Sequence, residues 1–325
     1  MIVVTGATGF LGSVLARQLA LQGEALRCTK RAASVIPEIL KPYQHLITWV
    51  DADILDVDAL DDALNGATQV YHCAAWVSLK QADKDRMIAT NVNGTANVVN
   101  LCLQNGARLA HVSSVAAIAE SRQGEMITEN HHLEAAATTD GYAISKLESE
   151  MEVWRGIAEG LDAVIVNPSI IIGPEAGTEG SGQLFETVRK GLKFYTRGSI
   201  GFVDVEDVAA CMIALMNSDI HAGRFIISAE NRTYKNITGE IASGFNLPAP
   251  GFEAKPWMMG LAWRAARILS GLTGKAPLID KVSAQSASIT RNFDNSKIKN
   301  AIGFNFKPVS ESVMAVCAHL KQQQQ

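Results

Sequence analysis

The chain has 325 residues, 47% apolar and 19% charged, with 26 glycines, 9 prolines and a formal net charge of −4. These are the proportions of an ordinary globular α/β protein, and they exclude a collagen, a coiled coil and a disordered chain. The small acidic excess, without any long block of like charge, gives no electrostatic reason for a nucleic-acid or anionic-membrane partner, so the expected partner is a small molecule.

The opening stretch from Met1 to Ala16 lacks a positive n-region and is broken by glycines at 6, 9 and 12. It reads as neither a signal peptide nor a spanning helix, and charges interrupt every later apolar run before spanning length; the expectation is a cytoplasmic protein without a membrane span. From residue 1 to about 175, short β-branched runs alternate with longer helix-period segments. Strands are predicted at Ile2–Thr5, Ala25–Lys30, His45–Val50, Gln69–Cys73, Leu109–Ser113 and Ala163–Asn167, and helices at Phe10–Gln22, Asp56–Leu64, Asp83–Gln104 and Gly141–Glu159. This alternation predicts an α/β fold with a doubly wound parallel sheet, a Rossmann fold, over residues 1–174.

After Gly173-Pro174 come a glycine-rich loop, a helix near Gln183–Lys190 and a short strand near Gly201–Val203. Residues 175–325 are expected to form a smaller, mostly helical substrate lobe, with the strand-plus-helix segment 202–217 packing back on the first domain. The five cysteines, Cys28, Cys73, Cys102, Cys211 and Cys317, stand at long spacings without a C-x-x-C pair. They read as reduced core thiols, and no metal site is predicted.

Thr5–Gly12 reads TGATGFLG, directly after the first strand and opening the first helix. Glycines in that place permit a sharp turn and let backbone N–H groups at a helix N-terminus approach a diphosphate. At the end of the second strand, where an NAD site carries a carboxylate, stand Thr29-Lys30-Arg31. A guanidinium there suits a 2′-phosphate, so NADP is expected, with NAD as the alternative. Tyr142 and Lys146 lie four apart on one helix face, and Ser113-Ser114 close the fifth strand. A phenol beside an ammonium is a plausible general acid/base, and a serine hydroxyl could hold the reacting oxygen.

Together these motifs resemble the extended branch of the short-chain dehydrogenase/reductases, the NAD-dependent epimerase/dehydratase family, and within it the dihydroflavonol-reductase-like and 3β-hydroxysteroid-dehydrogenase-like group. The resemblance runs through TGATGFLG (5–12), ADILD (52–56), YHCAAWVS (71–78), TNVNGT (90–95), HVSS (111–114), YAISK (142–146), NPSIIIGP (167–174) and FVDVEDVA (202–209). It implies Tyr142 as acid/base, Lys146 holding the nicotinamide ribose and lowering the Tyr142 pKa, Ser114 orienting the substrate carbonyl, and Asn91 supporting a proton-relay water. It further implies cofactor contacts from Gly6, Thr8, Gly9, Phe10, Leu11, Gly12, Arg31, Asp53, Ile54, Cys73, Ala74, Ala75, Pro168, Ile170 and Ile171. Relatives pair through the helices near 83–104 and 141–159, which makes a homodimer one expectation.

Sugar-nucleotide enzymes of the branch typically read R-P-x-N-V-Y-G-P where this chain has Ile170 and Ile172 in the asparagine and tyrosine positions. An isoleucine can bury apolar surface but cannot donate to a uracil or phosphate. Trp76, Ser114, Ile170 and Ile172 are therefore expected to line the substrate pocket, with the segment 256–272, rich in Trp and Met, as a further apolar wall. The leading expectation is an NADP(H)-dependent oxidoreductase interconverting a carbonyl and a secondary alcohol on a small apolar substrate. A sugar-nucleotide epimerase or dehydratase with tightly bound NAD(P), and a non-catalytic dinucleotide sensor, are the alternatives.

Overall fold

The computed structural model describes residues 1–78, 81–119, 125–133, 140–177, 180–255, 257–258, 260–261, 263–264 and 288–323. Seven parallel strands form the main sheet: β1 (Ile2–Thr5), β2 (Leu26–Lys30), β3 (Ile47–Asp51), β4 (Gln69–His72), β5 (Arg108–Val112), β6 (Ala163–Pro168) and, later in the chain, β10 (Ala222–Ile227). Their order is β10-β6-β5-β4-β1-β2-β3. The chain winds outward from β1 to β3 and then returns to start again at β4, so the winding reverses between β1 and β4. In such sheets the crevice at the strand ends beside the reversal is where ligands bind.

Alternation along each strand feeds two cores. Val3, Val70, Leu109 and Ile165 point to one face, beneath α2 (Val57–Leu64), α3 (Lys84–Asn105) and α4 (Gly141–Ala158). Val4, Tyr71, Ala110 and Val164 point to the other, beneath α1 (Phe10–Leu21) and α6 (Val205–Met216). The long α3 ends where Gly106 takes a left-handed φ of 63°, and Asp140 starts α4 by accepting from the Tyr142 N–H at 3.0 Å.

A second region stands beyond the C-terminal ends of the main-sheet strands. It holds a three-stranded sheet, in which β7 (Ile170–Ile172) pairs parallel with β9 (Ser199–Asp204) and β9 antiparallel with β11 (Glu230–Thr233). A short pair, β8 (Phe194–Tyr195) with β12 (Phe252–Glu253), completes its strands. Three helices cover it: α5 (Gly182–Arg189), α7 (Tyr234–Gly244) and α9 (Val309–Gln322), the last following α8 (Ser296–Ile302). The expectation of a mostly helical C-terminal part is thus corrected to a mixed one. Its short strands alternate weakly, and β10 carries Arg224 inside an otherwise apolar run, which hid it from a pattern search. Segment 256–272 lies partly outside the described residues; within it Trp257 is 64% exposed.

Asp204 locks the two regions together. Buried at the start of α6, it accepts from the Glu206 N–H at 2.9 Å, from Lys307 Nζ at 2.9 Å and from Ser312 Oγ at 2.5 Å. Asp204→Ala removes a helix cap and leaves a half-buried ammonium without its carboxylate. It should cost about 2–4 kcal/mol in urea unfolding, and a loss too small to resolve would contradict the role given to this contact.

Candidate active site

Gly6, at φ +71°, carries the chain out of β1 directly against the residues that leave β4. A Cβ at Gly6 would lie 2.6 Å from the Ala74 nitrogen, and one at Gly12 would lie 2.2 Å from the Gly6 carbonyl oxygen. Gly9 caps α1 without any side-chain hydrogen bond, and the first turn of the helix holds no acidic residue. Unoccupied N–H groups at a helix start, reached over exposed glycine backbone, suit a diphosphate. Thr8 and Phe10 are half-buried at this turn; Leu11 and Gly12 are buried, the Leu11 side chain within the α1 core.

The adenosine side is more open. Arg31 is exposed and has no ion-pair partner among the described residues, whereas Lys30 is paired with Asp51 at the end of β3. Asp53 is exposed, with Oδ1 accepting from the Leu55 N–H at 3.0 Å. Ile54 is buried against Gly94, where an added Cβ would come within 2.3 Å of its Cδ1. Its side chain is therefore committed to the protein interior.

Ser114 and Tyr142 are brought together from β5 and α4. Ser114 Oγ accepts from the Ala116 N–H at 3.1 Å and lies near enough to the Tyr142 hydroxyl to lower its pKa. The neighbouring Ser113 turns the other way and donates to Glu150 Oε2 at 2.8 Å. Lys146, one turn beyond Tyr142, donates from Nζ to the Val112 carbonyl at 2.9 Å.

The expected electrostatics need correction here. Burial raises the Tyr142 pKa above that of an ordinary phenol, Ser114 offsets this in part, and Asp140 raises it further. Lys146 is not among the groups that shift Tyr142, and burial takes the Lys146 pKa itself down to about 8. Lys146 instead bears on Cys73 and on two buried histidines. Burial, with Lys146 acting in the same direction, lowers His72 to about 3 and takes His111 well below its ordinary value, so both rings are neutral at pH 7. Burial lifts the half-buried Cys73 to about 12, which keeps it a thiol.

Asn91 is placed differently from its expected role. Its Oδ1 accepts from the Trp76 N–H at 2.7 Å, and Nδ2 donates to the Trp76 carbonyl at 2.8 Å and to Ser145 Oγ at 2.7 Å. With both amide hydrogens engaged, the side chain is a strut between α3, α4 and the loop after β4 rather than a donor to a relay water. That strut holds the half-buried Trp76, whose ring lies under the Arg86 guanidinium, beside half-buried Ala74 and exposed Ala75.

A second correction concerns the isoleucines. Ile172 is 1% exposed within the core shared with Phe185 and Phe202, so it cannot line an open pocket. Pairing of β7 with β9 sets this: Ile170 and Ile172 share a face, and Ile171 turns toward the α1 core. Ile170 is half-buried at the strand start, and Pro168 is buried at the end of β6.

Sequence reasoning missed Thr5, His72, Thr95 and His111, which form a polar layer under α3, and also Glu150, Asn167 and Arg224. His72 bonds Thr5 Oγ1 at 2.7 Å and Thr95 Oγ1 at 3.2 Å, while neither His111 ring nitrogen has a protein partner among the described residues. Only Glu150 left a local signal, since it continues the Tyr142–Lys146 face one turn further. Among the described residues no three His, Cys, Asp or Glu side chains converge as a metal site, and no helix is long and apolar enough to cross a membrane.

This geometry is accompanied by direct likeness. The model of the NAD dependent epimerase/dehydratase family matches residues 2–227. The chain belongs to that family. A provisionally named dihydroflavonol 4-reductase from Synechocystis sp. is 30% identical over 322 residues, covering 95% of this chain and 91% of that protein. Sterol demethylase protein B from Methylococcus capsulatus is 29% identical over 263 residues, covering 79% and 78% of the two chains. The crystal structure of gox2253 superposes with a TM-score of 0.86 at 27% identity over 99% of this chain and 98% of that one. A bound NAD(P) dinucleotide is typical of the family, and the glycine turn fits one.

The Lys146 shift has a measurable consequence. Below pH 8 folded and unfolded chains both carry the ammonium, and the fold bears its whole desolvation cost. Between pH 8 and 10.5 the folded chain sheds the proton that the unfolded chain keeps, so the destabilising contribution fades as pH rises. The stability gained by Lys146→Met in urea unfolding should therefore be largest at pH 7 and shrink toward pH 10. A gap that stays flat would contradict the assignment.

Proposed function

We propose that this oxidoreductase is an NADP(H)-dependent reductase of a ketone on a small apolar substrate, working through Tyr142, Ser114 and Lys146. The observation that carries the reading is the placement of the Ser114 and Tyr142 side chains beside each other at the switch-point end of the sheet, with the phenol held protonated by burial. A protonated phenol is the form needed to give a proton to a carbonyl oxygen, which favours the reductive direction. Ser114, whose oxygen accepts from the Ala116 N–H, would turn its hydrogen to that same carbonyl oxygen when substrate is bound.

The glycine turn with Thr8 would hold the diphosphate, Arg31 the 2′-phosphate, and Lys146 the ribose next to Tyr142. When bound, the dinucleotide supplies the hydride. Half-buried Ile170 and Trp76 offer an apolar wall that would favour flat or ring-containing ketones, in keeping with relatives named for a dihydroflavonol and a sterol. A uracil or sugar hydroxyl set against that wall would lose water without gaining a partner.

Two cofactor measurements follow from Arg31. NADPH should bind more tightly than NADH in calorimetric titration, and Arg31→Ala should narrow the gap by about 1.5–3 kcal/mol, the loss of one charge-assisted phosphate contact. A wild-type preference for NADH would remove the assignment.

Substrate class is tested by following NADPH absorbance with a dihydroflavonol and a 3-ketosteroid against UDP-glucose. Net NADPH consumption with an apolar ketone is expected, and Tyr142→Phe should slow it about 10²–10⁴-fold while leaving NADPH affinity in place. Turnover of UDP-glucose without net consumption, and indifference to the ketones, would transfer the reading to an epimerase.

A further inference from the structure

Behind the two hydroxyls lies a carboxylate that the proposed chemistry does not use. Glu150 is 1% exposed, yet four donors converge on it. Ser113 Oγ at 2.8 Å and Asn167 Nδ2 at 2.9 Å reach Oε2, while Arg224 Nη1 at 3.0 Å and Trp154 Nε1 at 3.2 Å reach Oε1. Arg224, 6% exposed, is itself fixed: it donates to the carbonyls of Glu129 and His131, and the Glu129 carboxylate accepts from the Ile226 N–H on the same strand. Asn167 then donates to the Ser114 carbonyl at 3.0 Å.

A buried ion pair is weak evidence for stability, because removing two charges from water offsets most of their attraction. What this one does is tie α4 to the backbone of Ser114. Tyr142 and Glu150 ride on the same helix two turns apart; from Glu150 the path runs through Asn167 to the carbonyl of Ser114, whose side chain lies beside Tyr142. At Ser114 the chain leaves β5 in an extended conformation and enters a single 3₁₀ turn, so nothing in the strand ladder beyond that point fixes where the hydroxyl sits.

We propose that Glu150, held by Arg224, is a positioning residue that anchors the Ser114 carbonyl through Asn167 and so sets where the Ser114 hydroxyl stands relative to that of Tyr142. This rests on the reading of Ser114 and Tyr142 as the reacting pair.

The test needs no substrate. The full chain is labelled with carbon-13 at tyrosine Cζ, and the Tyr142 line, one of five, is assigned by its loss in Tyr142→Phe. Ser114→Ala at pH 7 gives the shift that accompanies loss of the neighbouring hydroxyl. Glu150→Gln and Asn167→Leu should each move the line in the same direction by at least half as much, with NADPH binding retained. Asn167→Leu keeps the Glu150–Arg224 pair and decides the matter alone if Glu150→Gln does not fold. A role in stability alone would lower the melting temperature of both variants and leave the line in place, which overturns the proposal while the Ser114–Tyr142 pair stands. No shift in Ser114→Ala would mean that the pair is uncoupled, and the proposal falls with the reading beneath it.

Discussion

The reaction-side end of this protein depends on a steric constraint at one backbone contact. Where the winding of the sheet reverses, the turn after β1 and the segment after β4 come so close that Gly6 has no room for a Cβ against Ala74. Any other residue would have to push the two segments apart and would adopt its positive φ only under strain. Because Gly12 in turn packs on the Gly6 carbonyl, that approach also fixes where α1 begins. The start of α1 and the loop carrying Cys73–Trp76 are thus placed by a single absence of volume, before any side-chain chemistry is considered.

On that frame the site is assembled by dehydration. Lys146, Tyr142, His72 and His111 all sit where burial outweighs their neighbours, and each is driven toward its neutral form. A neutral phenol beside a weakened ammonium differs from the phenolate–ammonium pair that model-compound values suggest, and it favours proton donation. The same dryness makes unpaired polar atoms costly, which accounts for the care with which Asn91 and Glu150 are satisfied.

What the sequence disclosed and what it withheld separate by range. The glycine turn, the Tyr142–Lys146 face and the first six strands of the sheet are local patterns, read from spacing and hydrophobic period within a dozen residues, and the fold class follows from them. Ile172 was misplaced because side-chain direction on a three-residue strand is decided by its pairing with β9, more than thirty positions away. Glu150 and Arg224 are 74 residues apart; neither carries a sign of the other, and a lone arginine in an apolar run argues against a strand until its partner is known. The Tyr142 shift was misjudged for a related reason: contact with a lysine is visible in spacing, whereas the loss of water around both groups belongs to the packed whole.

The position of Arg224 also bears on how the protein is made. Residues 1–174 hold six of the seven sheet strands, yet a nascent chain of that length carries Glu150 toward an interior in which its counter-charge has not been synthesised. The carboxylate must stay hydrated until β10 emerges and docks beside β6. Closure of the sheet's last edge and ordering of its reactive end therefore become one late event. During synthesis the glycine turn can take shape well before Ser114 and Tyr142 meet, so dinucleotide binding and chemical competence would be acquired at separate times.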